Sequence, residues 1–395
     1  MSFRSAIGPV LILLLALLVN AFYVQQAATG GDAVRAWFYD SEVNPHTGCD
    51  FFALYTAGRA LMHGGDIYAG DPQHVIVPCC FAFRYLPLGA ALGAPFALLA
   101  PRAAELAWLA LLELLALLCA LLTYRLVRGV AGAVLAAGWL AATPLYLELY
   151  MGQFNMLQAA LLFLALVFVS RERPRAADAA LCGAMLWKLT SWTAAPALIV
   201  RERWRPLLVS AVLAAGSLAA YHWLTGRTLD PFWRNFTPGE LLRDEVYRGD
   251  LGPLMFARVL LGGSLPRYLV YLLPAVAISL ALVAMAIGAR APLGDHLALW
   301  FAAYFFIYPT IWEHHYLMLM PPLVYLYSRS RSPVLWLALL LYVLPTPYAM
   351  AGPAGARWTG LWPLAYHASK LSAALLVNLV ALSQVIRGGR RYGKK

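Results

Sequence analysis

The chain has 395 residues, of which 62% are hydrophobic and only 12% are charged, and its formal net charge is +11. So little polar surface excludes a water-soluble globular protein of this size. The Lys and Arg residues lie in short clusters between apolar runs, which is typical of a helical membrane protein and does not indicate nucleic-acid binding.

Apolar runs recur along the whole chain. A bilayer core of about 30 Å requires roughly 17 to 25 apolar residues for each helical crossing. Together with the positions of Pro and Gly, this length predicts about twelve membrane segments: 7–24, 86–100, 104–124, 130–147, 154–170, 176–199, 206–224, 268–289, 295–309, 316–327, 333–349 and 361–386. The chain is therefore predicted to be an all-α, polytopic transmembrane protein in which residues 1–395 form a single integral membrane domain.

The basic clusters predict the orientation of these segments. Positive charge favours the cytoplasmic side, so Arg4 and the basic tail after residue 386 place both termini in the cytoplasm, in a bacterial inner membrane. Segment 7–24 is interpreted as a retained signal anchor, because no small-residue cleavage site cleanly follows it. Segments 86–100 and 176–199 contain prolines, and the charges around them do not alternate correctly, so both are predicted to be re-entrant or broken.

Three polar stretches are predicted to face the outside of the membrane together: 29–83, 225–265 and 308–316. The 225–265 loop mixes aromatic and charged residues, which suits either a helix at the lipid headgroups or a plain solvated loop. The 29–83 loop contains Cys49, which can form a disulfide with Cys79 or with Cys80 if this side is oxidising.

Asp50 is the first candidate for chemistry, because it opens an amphipathic helix in the 29–83 loop. Two interpretations are open. The carboxylate can cap free backbone N–H groups at the start of the helix. Alternatively, it can act as a general base at the lipid interface. Tyr55, on the same helix, is a candidate for contact with a sugar or an acceptor.

Further polar residues lie at the edges of membrane segments or inside them. Arg84 can pair with a phosphate or snorkel to the interface. Gln153 and Asn155 can hydrogen-bond a sugar or tie helices together. Lys188 lies inside segment 176–199, where an ionisable group indicates function, because burying an unpaired charge is expensive.

A late cluster, Glu313-His314-His315-Tyr316, lies in the outward stretch 308–316, on the same side as Asp50. Adjacent histidines do not share one face of a helix, and no further ligand stands three or four residues away, so a metal site is not predicted. A hydrogen-bonding role toward a phosphate or a sugar is favoured instead, with Glu313 on the acceptor side.

The ordered motifs resemble glycosyltransferase family 87. They are Asp50-Phe51 with Tyr55 and Ala57-Gly58-Arg59-Ala60-Leu61, then Gly64-Gly65-Asp66-Ile67-Tyr68, Arg84-Tyr85-Leu86-Pro87-Leu88, Gly152-Gln153-Phe154-Asn155, and Lys188 with Pro196. The similarity runs over the whole chain. The cysteines beside Asp50 and before the Arg84 motif depart from the family pattern, and this departure leaves the acceptor open.

The resemblance implies a GT-C fold and a mannosyltransferase that uses a polyprenyl-phosphate sugar as donor, with no cofactor. It implies a glycolipid or glycan acceptor on the extracytoplasmic side, Asp50 as the catalytic aspartate, and either His314 or His315 as a residue of the site. On this basis we expect Arg84, Lys188 and the histidines to hold the donor phosphate. The alternatives are a transporter or lipid flippase, which would be expected to show repeat symmetry, and a non-catalytic assembly factor.

Overall fold

The structure is a computed structural model that describes residues 3–31, 33, 46–73, 75–79, 81–235, 249–263, 266, 268–345 and 360–392. Within these ranges every regular element is a helix, and one isolated antiparallel bridge joins Asp250 to Trp312. The predicted all-α membrane architecture is therefore confirmed. In the predicted outer stretches, residues 32, 34–45, 74, 236–248 and 264–265 lie outside the described part of the chain, and so does Cys80.

The helices follow one another in a single series. The first nine are α1 Phe3–Thr29, α2 Cys49–Met62, α3 Pro87–Ala97, α4 Pro101–Val127, α5 Gly129–Leu140, α6 Thr143–Met151, α7 Asn155–Ser170, α8 Pro174–Trp187 and α9 Ala195–Val200. The remaining ones are α10 Trp204–Thr225, α11 Asp230–Arg234, α12 Pro253–Leu260, α13 Leu269–Ile287, α14 Leu293–Ile307, α15 Met320–Ser330, α16 Val334–Val343 and α17 Leu361–Tyr392. Two 3₁₀ helices, Leu189–Ala194 and Glu313–Leu319, interrupt the series.

Six stretches of helix are long and apolar enough to cross a membrane, among the residues described: Ile7–Thr29, Pro101–Val127, Gly129–Met151, Trp204–Thr225, Leu269–Ile287 and Leu361–Gly389. Five shorter apolar helices accompany them. Helices this short cannot cross the hydrocarbon core alone. The count of twelve crossings and the cytoplasmic position of both termini stay predictions.

The two proline-containing segments differ. Segment 176–199 is broken as predicted, but the break falls at Lys188, which is extended (φ −141°, ψ 120°), and Pro196 lies in the first turn of α9. Side-chain bonds support the break, because the Gln158 amide donates to the hydroxyls of Thr190 and Ser191 at 2.9 and 2.8 Å. Segment 86–100 instead forms the single helix α3, which runs through Pro95 and ends two residues later.

The outer loops pack on the helices. In the first loop, the Asp66 carboxylate accepts hydrogen bonds from the Tyr221 hydroxyl of α10 and from the Tyr68 backbone N–H, both at 2.9 Å. Cys49 is joined to Cys79 by a disulfide. In the second loop, α11 carries a buried Phe232 beside an exposed Trp233. The described part of that loop therefore includes a short helix with one buried and one exposed face, and it also contains α12.

Helices α2 and α3 approach each other through glycines. A Cβ atom at Gly58 would lie 2.4 Å from the backbone carbon of Gly93, and a Cβ atom at Gly93 would lie 2.5 Å from the carbonyl oxygen of Leu54. Such backbone contact requires small residues, as in other packed membrane helices. The approach holds α2, and with it Asp50, against the body of the protein.

We predict that Gly58→Ala destabilises the protein by about 1–3 kcal/mol or more, because the added methyl group meets backbone atoms that cannot rotate away. The measurement is the midpoint of thermal unfolding in detergent. Gly216→Ala is the matched control, because a Cβ atom there meets nothing within 4 Å in α10. The control should leave the midpoint unchanged or raise it slightly through helix propensity. Equal midpoints for the two variants would contradict the prediction.

Candidate active site

Asp50 stands at the start of α2 and faces a neighbouring turn. The N-cap position belongs to Gly48 (φ 70°), whose backbone N–H donates to the carbonyl of Tyr150 at 2.8 Å. The Asp50 carboxylate accepts a hydrogen bond from the side-chain amide of Gln153 at 2.8 Å. The interpretation of Asp50 as the helix cap is therefore wrong, since the cap position is taken and the carboxylate is used elsewhere.

A close backbone approach brings Gln153 to Asp50. Helix α6 ends at Gly152 (φ 64°), and a Cβ atom at that position would lie 2.7 Å from the Cβ atom of Phe51. The indole N–H of Trp108 donates to the carbonyl of Gly152 at 3.0 Å and holds the turn from the other side. Only glycine combines the left-handed conformation with this separation, so the turn places the next residue beside the carboxylate.

Lys188, Asn155 and Glu148 form a buried polar chain, and the charge of Lys188 acts on the Asp50 carboxylate. The Lys188 ammonium donates to Asn155 Oδ1 at 2.5 Å, and Asn155 Nδ2 donates to Glu148 Oε2 at 3.2 Å. The other oxygen of Glu148 accepts the backbone N–H of Met156 at 2.6 Å. Lys188 is 9% exposed and Glu148 is fully buried. The break in the helix at Lys188 therefore places its ammonium against Asn155 of α7, which in turn binds Glu148 of α6.

Glu148 is a residue of this region that was not predicted. It stands in the apolar run of α6, four residues before Gly152. The available signal was its charge, because an ionisable side chain in an apolar membrane run indicates function by default. The run was instead assigned to a membrane segment that ends at residue 147, one residue short of it.

Arg84 and Tyr85 approach Asp50 from the first outer loop. The Tyr85 ring packs edge-on against Phe154, with ring centroids 5.0 Å apart. The Tyr68 hydroxyl donates to the backbone carbonyl of Tyr85 at 3.2 Å. Burial raises the pKa of Tyr85 well above its usual value, and the nearby Asp50 carboxylate raises it further. Tyr85 therefore keeps its hydroxyl proton beside Asp50, while the exposed Arg84 supplies a positive charge.

The environment of Asp50 suits a base. Burial raises its pKa to about 6, and this rise is opposed by the positive charge of Lys188, the hydrogen bond from Gln153 and the charge of Arg84, in that order. The residue nevertheless stays partly accessible. A carboxylate whose pKa lies near neutrality can accept a proton more readily than a fully exposed one. The same residue is thus flanked by two cations and open to a ligand.

The two histidines follow Glu313 in the first turn of the 3₁₀ helix Glu313–Leu319, and their ring centroids lie 4.6 Å apart. The Trp312 backbone N–H donates to Nδ1 of His315 at 3.3 Å. Burial lowers the pKa of His314 far below its usual value, and the charge of Lys188 lowers it further. The pKa of His315 is also lowered well below its usual value, by burial first and then by His314 and Lys188. Both rings are therefore neutral and lie within the electrostatic reach of Lys188.

Two predicted contact residues, Tyr55 and Glu313, bind other parts of the fold in this structure. The Tyr55 hydroxyl donates to the carbonyl of Leu99 at 2.9 Å, beyond the end of α3. Glu313 accepts a hydrogen bond from the hydroxyl of Thr143, and Oε1 of Glu313 lies 3.9 Å from the Lys370 ammonium of α17. Both side chains are almost completely buried. The structure thus brings Asp50, Arg84, Gln153, Lys188 and the histidines into one region, while these contacts hold Tyr55 and Glu313 in the packing between helices.

The site thus consists of a partly accessible carboxylate, Asp50, with the cations Lys188 and Arg84 near it, in an all-helical membrane protein. Such a carboxylate can take the proton of a hydroxyl group to which another group is transferred. The sequence profile of Glycosyltransferase family 87 matches residues 83–312, which is more than half of the chain, and the chain belongs to this family. No curated protein matches it. The resemblance stated above is confirmed, and the protein is a membrane glycosyltransferase, which decides against the transporter or flippase alternative.

The matched range covers only part of the site. It includes Arg84, Gln153, Asn155 and Lys188, together with Glu148. It begins after Asp50 and ends one residue before Glu313 and the histidines. Outside this range, Asp50 is joined to the site by the hydrogen bond from Gln153, and the histidines lie near enough to Lys188 to feel its charge.

We predict that Glu148 and Lys188 are energetically coupled. Removing one member of a buried pair leaves the other charge uncompensated, which costs about 3–5 kcal/mol. Glu148→Gln and Lys188→Met should therefore each lower the midpoint of thermal unfolding in detergent. The double variant should lose less than the sum of the two losses. Strictly additive losses would show that the two residues act independently.

Proposed function

We propose that the protein transfers a hexose from a polyprenyl-phosphate donor to a hydroxyl group of an extracytoplasmic glycolipid or glycan. The sugar is mannose, as in the enzymes that the chain resembles. The observation that carries the proposal is the Asp50 carboxylate, held by Gln153 and flanked by the charges of Lys188 and Arg84. The donor is already activated by its phosphate ester, so neither a nucleotide nor a cofactor enters the scheme.

The proposed reaction is one displacement. The acceptor oxygen attacks C1 of the sugar while the bond between C1 and the phosphate oxygen breaks. The electron pair of that bond leaves on the polyprenyl phosphate, and the hydroxyl proton passes to Asp50. A single displacement inverts the configuration at C1, so a β-linked donor gives an α-linked product. Gln153 orients the carboxylate through its 2.8 Å hydrogen bond.

The phosphate in this scheme meets Lys188 and Arg84. Negative charge on the leaving phosphate grows as the bond breaks, so charge-assisted hydrogen bonds stabilise the transition state more than the bound donor. Asn155 accepts a hydrogen bond from the Lys188 ammonium and is itself held by Glu148. We extend the phosphate contact to the histidine pair. Because Nδ1 of His315 accepts the Trp312 backbone N–H, the His315 ring donates through its Nε2–H.

The charge pattern supports a site on the extracytoplasmic side. The basic clusters favour the cytoplasm, which leaves the 29–83 and 225–265 loops on the outer face of a bacterial inner membrane. The exposed apolar surface of α10 and α13 offers a lipid-facing wall for the donor tail. A lipid-linked donor and a lipid-linked acceptor would then both reach Asp50 by lateral diffusion within the membrane.

We predict that Asp50→Asn lowers the rate of transfer about 10²- to 10⁴-fold, the usual contribution of a general base. The assay follows labelled mannose from synthetic polyprenyl-phosphate mannose into membrane glycolipids with purified protein. Asn still offers an oxygen to Gln153, so thermal unfolding should be unchanged. Asp230→Asn, at an exposed position of α11, is the control and should retain full activity. Full activity in Asp50→Asn would remove this residue from catalysis.

We predict an acidic limb in the pH profile of kcat/KM near pH 6, because the pKa of Asp50 is about 6 and only the ionised form accepts a proton. Activity should fall about tenfold for each pH unit below this point and level off above it. Arg84→Gln removes a positive charge that lowers the pKa of Asp50, so its limb should move to higher pH. A limb that moves to lower pH would contradict the assignment.

A further inference from the structure

The disulfide between Cys49 and Cys79 joins the two segments that carry Asp50 and Arg84. Cys49 is the first residue of α2 and directly precedes Asp50, while Cys79 stands five residues before Arg84. Their Cα atoms lie 5.3 Å apart, and both side chains are buried. The bond therefore links the base and one of the cations proposed for the donor phosphate through short stretches of chain.

The segment that carries Arg84 has little regular structure of its own. Its described residues between Met62 and Pro87 form turns and bends, without a helix or a strand. Near the middle, the Asp71 carboxylate accepts the backbone N–H groups of Val75, Ile76 and Val77 at 2.7–3.2 Å and closes a local turn. That turn leads directly into Cys79, so the disulfide ties a preformed loop to the start of α2.

After Cys79, the chain reaches Arg84 within five residues. Phe83 is buried and packs against Tyr68 and Tyr85, with ring centroids 6.1 and 5.5 Å apart. These rings hold the backbone at one end of the short stretch between Cys79 and Arg84, and the disulfide holds it at the other. The Arg84 side chain is exposed and extends from this stretch of backbone, which is held at both ends.

We propose that the Cys49–Cys79 disulfide is a tether that positions Arg84 opposite Asp50, and that full activity requires this bond. The proposal rests on the roles given above to Asp50 and Arg84. It also requires that this face of the protein lie in an oxidising compartment, because disulfides persist only there. Cys49 and Cys79 are thus positioning residues that act through Arg84 and do not touch the substrate.

A disulfide can also stabilise a protein without influencing a particular side chain. The two roles are separated by a double-mutant cycle of wild type, Cys49→Ser/Cys79→Ser, Arg84→Gln and the triple variant. Both cysteines are replaced together, so that Cys49 cannot pair with Cys80. Cys119→Ala/Cys182→Ala is the matched control, because those two cysteines are free and lie outside the site.

The readout is the pH profile of kcat/KM for transfer from polyprenyl-phosphate mannose. Loss of the disulfide should lower kcat/KM roughly ten- to a hundredfold, the effect of losing one charged hydrogen bond, and should move the acidic limb to higher pH. Arg84→Gln should do the same, and the triple variant should lose little more than Arg84→Gln alone. Additive losses, or an unmoved limb without the disulfide, would overturn the tether.

A second measurement does not depend on the reaction. Amide hydrogen exchange of residues 81–86 should speed up in Cys49→Ser/Cys79→Ser, while exchange in α4 stays unchanged. Unchanged exchange in residues 81–86 would refute the tether even if the enzyme is active. Wild type that transfers nothing from polyprenyl-phosphate mannose would refute the proposed donor, while faster exchange in the same variant would still support the tether. Free thiols at Cys49 and Cys79 in protein isolated without reductant would also overturn it.

Discussion

The hydrogen bond from Gln153 to Asp50 depends on a turn that only glycine allows. Gly152 ends α6 in a left-handed conformation and lies so close to the first turn of α2 that no side chain fits between them. This contact sets the distance between the helix that carries Asp50 and the helices that carry the amide and the cation. A larger residue at position 152 would separate the carboxylate from its partner before it affected any group that takes part in the reaction.

The charges around the site are arranged as compensated pairs. Buried ionised groups are tolerated when they are paired and hydrogen-bonded, and the Lys188–Asn155–Glu148 chain meets both conditions. Asp50 is partly accessible and shares Lys188 with this chain. Neutral histidines beside Lys188 can donate hydrogen bonds without adding positive charge. The two carboxylates, Asp50 and Glu148, therefore compensate the two cations, Lys188 and Arg84, when no ligand is bound. The same cations can pair with an anionic ligand when it binds.

The scaffold behind the site is polar as well. Glu313, at the head of the histidine-bearing 3₁₀ helix, accepts from Thr143 of α6 and lies near Lys370 of α17. Lys370 also donates to the carbonyls of Tyr342 and Leu344 at the end of α16. In lipid, carbonyls left free at the end of a helix need such partners. The buried Lys370 of α17 thus binds the end of α16 and lies near the 3₁₀ helix that carries the histidines.

The sequence alone determined the class of the protein, because lipid leaves an apolar chain of this length with few options other than helices. It also named Asp50, Arg84, Gln153, Asn155 and Lys188, since charged and amide groups are conspicuous in apolar surroundings. Tertiary structure decided how they meet. The choice of Cys79 as the partner of Cys49, the break at Lys188 and the inclusion of Glu148 depend on contacts between residues distant in sequence. The scaffold roles of Tyr55 and Glu313 were equally hidden, because a polar side chain looks the same in sequence whether it faces a ligand or a neighbouring helix.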